Sequence, residues 1–201
     1  YRSGRFGFAA EHVSSLERHG YRIDSSVTPL FYERHKGGPD FVGAPLTPYY
    51  LAYDSATRPG SSAVLELPVS AALNRRVPAW VEAMYGRAPW PYTTKRILRL
   101  SRIAAVRSLR PSYTSADDMI LLARDLVSRR VPLLNLLFHS SEVIAGGSPY
   151  NRTERDVSTF YDRLARFFAA AIGELGAEPM TFREFGDRYG ATTAAARRQA
   201  V

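Results

Sequence analysis

Apolar residues recur at three-and-four spacing in several stretches of this chain and form unbroken runs in others, the patterns of half-buried helices and of buried strands respectively. FAAEHVSSLERHG (8–20) predicts a helix, with Phe8, Val13 and Leu16 on one face and Gly20 at the stop position. YRIDSSV (21–27) and AVLELPVS (63–70) predict strands, the second ending near Pro68. Between them, residues 28–62 are rich in Pro, Gly, Tyr and Ser, as in HKGGPDFVGAPLTPYY, and predict a long irregular excursion. Ordered loops of that length are usually functional.

TTKRILRLSRIAAVRS (93–108) predicts an amphipathic helix, Ile97, Leu100 and Ala104 opposing Lys95, Arg96, Arg99 and Arg102. Its basic face is read as solvated in preference to a phosphate or lipid contact. SADDMILLARDLVSRR (115–130) predicts a second helix, with Ser115 as cap and Asp117 and Asp118 in the first turn. The run VPLLNLLFH (131–139) then reads as a buried strand. A third helix spans about 153–175, with Thr153 and Asp156 shaped as a capping pair. Val157, Phe160, Tyr161, Leu164, Phe167, Phe168 and Ile172 form its core stripe. TFREFGDRY (181–189) predicts a last short helix, and the Ala/Arg tail 190–201 is expected to fray. Strand, helix and strand in succession make the fold class α/β, in one domain over residues 1–189.

Composition narrows the chemistry more than the fold. The net charge of +8 comes almost wholly from arginine, Lys36 and Lys95 being the only lysines. Such a balance permits an acidic partner without selecting one, and the arginines lack a nucleic-acid reader motif. With no cysteine, disulfides, thiolate metal sites and thiol nucleophiles are excluded. No apolar run approaches the roughly 20 residues that cross a bilayer. There is no P-loop, no G-x-S-x-G elbow and no G-x-G-x-x-G. His12 and His19 lie seven residues apart without a nearby third ligand, so they do not form a metal pattern.

In α/β sheets ligands gather beyond the carboxyl ends of strands, where Arg2, Asp24 and His139 stand. His139 closes the run LLNLLF and precedes the loop AGGSPY. Imidazole is the usual acid or base near neutral pH, and Asp24 at another strand end is placed to orient it.

YRSGRFGF, LERHGYRIDSSVTP, GGPDFVGAPLTPYY, VLELPVS and LLNLLFHSSEVIAGGSPYNRTERDV, in that order and spacing, together resemble the C-terminal half of a polysaccharide deacetylase of the NodB-homology type. The resemblance covers most of residues 1–189 and implies the C-terminal part of a distorted (β/α) barrel. It also implies removal of acetyl groups from N-acetylated sugars, with a divalent metal, usually zinc, held by one Asp and two His. On this resemblance Arg2 in YRSG orients the catalytic-base Asp, Asp24 sits behind His139, and His139 in LLFH is the general acid on the leaving amine. The family's paired aspartates, three apart and followed by an aromatic, are met here by Asp24, Val27 and Thr28, so the second carboxylate and the aromatic are missing. The blocks carrying the base and the metal ligands have no counterpart in this chain and are expected upstream of Tyr1. An alternative reading is a noncatalytic carbohydrate binder, with Tyr32, Phe41, Tyr49, Tyr50 and Tyr53 as stacking surfaces. In either reading the partner is an N-acetylated glycan, with Tyr49 and Tyr50 as the expected substrate-binding pair, and neither nucleic acid nor membrane.

Overall fold

The structure, a computed structural model, describes residues 1–87 and 105–199, with backbone alone at 35, 79 and 193–199. Helix α1 (Glu11–Arg18) buries Val13 and Leu16 and is followed by Gly20 at φ +77°, the left-handed conformation that ends a helix without a Cβ clash. The chain then enters β1 (Ile23–Asp24), which pairs in parallel with β4 (Leu65–Glu66).

The other edge of β4 takes β2 (Tyr49–Ala52) antiparallel, and β2 turns back into β3 (Ser55–Pro59), giving the order β1-β4-β2-β3. Residues 28–62 are therefore not irregular throughout, as their composition predicted. Pro48 and Pro59 lie at the margins of the hairpin, where a missing N–H is tolerated, while Tyr49 and Leu51 are buried. Gly60 makes the return possible, because a Cβ there would stand 2.4 Å from the Ala52 Cα.

β5 (Ala71–Leu73) pairs antiparallel with β6 (Val106–Ser108). Of the helix expected over 93–108, residues 93–104 lie outside the described residues, and 106–108 are strand instead. Pairing with β5 and the Arg107–Asp118 ion pair (2.8 Å) fix that end as extended chain, a tertiary override of a local pattern. Helix α2 (Ala79–Arg87) lies between β5 and the undescribed stretch, and the sequence reading did not anticipate it.

Helix α3 (Ala116–Ser128) begins at Ser115, whose Oγ accepts the Asp118 N–H, and buries Ala116, Met119, Leu122, Ala123 and Leu126. The run 131–139 is extended but belongs to no named strand. It is held by Ser70 N–H to the Asn135 carbonyl (3.1 Å) and by Leu137 N–H to the Leu109 carbonyl (2.9 Å). Helix α4 (Glu154–Phe168) carries the expected capping box of Thr153 and Asp156 and continues through a π-helical turn, Ala169–Glu174. Its apolar stripe divides: Val157, Phe160, Leu164 and Phe167 are buried, whereas Tyr161, Phe168 and Ile172 are exposed. Helix α5 (Phe182–Gln199) runs on through the Ala/Arg stretch.

The result is a mixed α/β fold with an open sheet and, among the described residues, no closed barrel. One apolar cluster gathers Val13, Leu16, Phe41, Tyr49 and Leu51 beneath α1. Another joins Ala72 and Leu109 to α3 and α4.

Candidate functional site

Strand register puts two carboxyl groups side by side. Asp24 on β1 is opposite Glu66 on β4, and Glu66 is opposite Tyr49 on β2. Asp24 and Glu66 are both fully buried. The Asp24 carboxylate accepts the Ser26 N–H (3.1 Å) and hydroxyl (2.8 Å), and Glu66 Oε1 accepts the Val27 N–H (3.0 Å).

Glu66 Oε2 has no acceptor role filled. Burial pushes the Glu66 pKa well above the usual carboxylate range, and the neighbouring Asp24 adds to the effect. A proton on Glu66 resolves both observations, since Oε2–H then donates to Asp24 and only one of the two groups is charged.

Arg2 supplies the balancing cation. Its Nε donates to the Ser25 carbonyl and its Nη2 to the Ser25 hydroxyl, each at 2.9 Å. Burial lowers its pKa, and the carboxyl pair beside it opposes that. Asn135 closes the network, its Nδ2 donating to Ser25 Oγ and to the Leu67 carbonyl, each at 2.8 Å.

A half-open cavity of about 370 Å³ lies beyond this polar centre, within the range of small-ligand sites. The same chain segments build both. Asp24 is followed by Thr28 in the cavity wall, Glu66 by Val69, and Asn135 by Leu137. The cavity thus sits past the carboxyl ends of β1 and β4, where such sheets bind ligands.

Phe31, Tyr32, Tyr85 and Tyr113 supply aromatic wall. Of the four non-glycine residues with left-handed backbone among the described residues, Phe6 (φ +57°) and Leu30 (φ +68°) both line it. Such strain concentrates at functional sites.

Among the described residues, one charged residue lines the cavity. Arg110 pairs with the fully buried Glu142 (3.3 Å) and stacks over the Tyr113 ring, its guanidinium carbon 4.3 Å from the centroid. Ser112 also donates to Glu142, and the Tyr113 and Tyr150 hydroxyls bond each other. Asn151 is buried with its amide on the Glu142 carbonyl (2.5 Å).

The structure brings Arg2 and Asp24 together, but it does not bring Asp24 to His139. Asp24 is engaged by Ser26 and neighbours Glu66, while the His139 side chain is exposed and makes no hydrogen bond among the described residues. His139 follows Leu137 by two residues, but Leu137 lines the cavity and His139 does not.

Tyr49 is buried, its hydroxyl on the Ala56 carbonyl (2.6 Å), and Tyr50 packs beside Leu65, Leu67 and Phe185; neither lines the cavity. Phe41 is likewise core, and the Tyr53 hydroxyl binds Glu17. The expected second aspartate position, Val27, is a fully buried apolar residue, and the neighbouring strand supplies a carboxyl group through Glu66 instead.

Sequence reasoning missed Glu66, Arg110 and Glu142. A lone carboxylate inside the apolar run VLELPV was the available signal for the first. Among the described residues no three His, Asp or Glu converge as a metal site requires. Asp24 and Glu66, with their oxygens on N–H groups and a guanidinium beside them, do not form a zinc donor set.

Comparison with known proteins finds no matching family model, no similar curated protein and no similar solved structure.

Proposed function

We propose that this chain is the C-terminal part of a carbohydrate deacetylase, a metal-dependent hydrolase that cleaves the amide bond of N-acetylated sugars within a distorted (β/α) barrel. The observation that carries this reading is the alignment of three chain segments. Each gives one residue to the Arg2–Asp24–Glu66–Asn135 network and, two to four residues on, one wall residue to the cavity.

In this reading Arg2 is a positioning residue that holds the network against Ser25. His139, at the solvent end of the segment that carries Leu137, protonates the departing nitrogen. A bound divalent metal would polarise the acetamide carbonyl, and its ligands lie outside the residues described here.

A carbohydrate-binding protein of the same fold is the second reading, favoured by the aromatic cavity wall. Of the expected stacking residues Tyr32 lines that wall, and Phe41, Tyr49, Tyr50 and Tyr53 do not.

Incubating the whole gene product with zinc and N-acetylated chito-oligosaccharides, and measuring released acetate and free amine, separates the two. Stoichiometric release supports the hydrolase. Saturable binding without release supports the binder.

A further inference from the structure

Most polar side chains of the cavity wall have their polar atoms engaged elsewhere or shut off from it. The Tyr113 hydroxyl bonds that of Tyr150, the Ser108 hydroxyl lies 3.4 Å from that of Thr114, and Arg110 Nη2 is held by the fully buried Glu142 (3.3 Å). Thr28 Oγ1 and Arg110 Nε have essentially no accessible surface, so they do not face the cavity either. What the wall offers is mainly ring and aliphatic surface. Phe6 and Phe31 stand with ring centroids 5.3 Å apart, and Tyr113, Val69 and Leu137 complete much of the rest.

An apolar group that enters such a space buries its own surface and the wall's together. Rings do so with an added gain, because edge-to-face and offset contacts with aromatic walls are themselves favourable. An ion would give up its hydration for little return. The one cation that lines the cavity among the described residues is already neutralised by Glu142 and laid over the Tyr113 ring, 4.3 Å from its centroid. The left-handed backbone of Phe6 and Leu30 is an independent sign, since strain of that kind persists where the surroundings hold a functional shape.

We propose that this cavity binds an uncharged aromatic group of a small molecule, with Tyr113 as its specificity wall and Tyr150 and Arg110 as the residues that position Tyr113. The inference goes beyond the carbohydrate reading and does not rest on it: it concerns what enters the cavity, and His139, the proposed acid, does not line it.

The test is a fluorescence titration of the whole gene product with N-phenylnaphthylamine, an uncharged aryl amine that brightens on leaving water, and with anilinonaphthalenesulfonate, the same rings bearing a sulfonate. The salt concentration is set to screen the surface arginines. Wild type should bind the uncharged probe at one site, at least about tenfold more tightly than the sulfonate. Tyr113 is exposed, so Tyr113→Ala should fold, and it should weaken binding of the uncharged probe about three- to tenfold, the worth of an aromatic contact. Val106→Asp, at another exposed position of the wall, should weaken it at least as much. Ile172 lines a separate cavity, together with Val131 and Phe185, and Ile172→Asp should change nothing.

No binding of the uncharged probe by folded wild type, tighter binding of the sulfonate, or a loss on Ile172→Asp that Tyr113→Ala does not share overturns the inference. Probe binding sensitive to Tyr113→Ala without acetate release from N-acetylated sugars removes the hydrolase reading alone. Acetate release by protein that binds neither probe removes this inference alone.

Discussion

Replacing Glu66 with glutamine isolates the proton shared by the buried carboxyl pair. Glu66 is fully buried, with one oxygen on the Val27 N–H and the other free to donate to Asp24 only when protonated. Its folded pKa is raised above an unfolded value of about 4.3. Between those two values the native state holds one proton that the unfolded chain does not. The stability slope is then 2.303RT times minus one, a loss of about 1.4 kcal/mol per pH unit as pH rises. The stabilisation is complete below about pH 4.3 and is lost on passing up through the folded pKa. Glutamine keeps a donor toward Asp24 and cannot titrate. As pH rises above about 4.3 wild type should therefore lose stability relative to Glu66→Gln until the folded pKa of Glu66 is passed. Urea unfolding of the whole gene product at pH 5.5, 6.5 and 7.5 reads this directly, and constant offsets cancel when slopes are compared. Parallel profiles, or wild type gaining on the variant as pH rises, would refute a protonated Glu66.

Arg2→Ala should lower kcat on an acetylated oligosaccharide by about 10- to 100-fold with little change in KM, since Arg2 grips Ser25 and not the cavity; a raised KM at unchanged kcat would move it to substrate binding. Tyr49→Phe strands the Ala56 carbonyl and should cost about 1 kcal/mol in chemical unfolding with KM unaffected, and a KM rise without a stability loss would return Tyr49 to the ligand. Thr153→Ala removes one half of the α4 capping box and should cost about 1 kcal/mol, read as a lowered urea midpoint; an unchanged midpoint would mean that the start of α4 contributes nothing to global stability.

Helices were the most legible part of the fold because their signals are local. Ser115 and Thr153 cap where the sequence places them, and the stripe Val157, Phe160, Leu164 and Phe167 packs inward as its spacing demands. The β2–β3 hairpin was hidden because its strands are short and flanked by Pro48, Pro59 and Gly60. What makes it a hairpin is the approach of Gly60 to Ala52, which no period reports. Residues 106–108 read as the end of a helix because their partner, β5, lies more than thirty positions earlier. In the site, Arg2 and Asp24 were visible as polar residues beside strand positions. Glu66 became meaningful only through register with Asp24, and Arg110 with Glu142 only through the tertiary approach of residues 32 positions apart.

In the proposed reading this chain supplies the acid side of an amide-cleaving site, and His139 carries that role. The most direct test is acetate release by the whole gene product bearing His139→Ala, with bound metal measured in the same sample. Because the side chain is exposed and bonded to nothing among the described residues, folding and metal content should match wild type. The kcat should fall by about 10²- to 10⁴-fold, as loss of a general acid predicts. Near-normal kcat in a folded, metal-loaded His139→Ala protein would contradict the account.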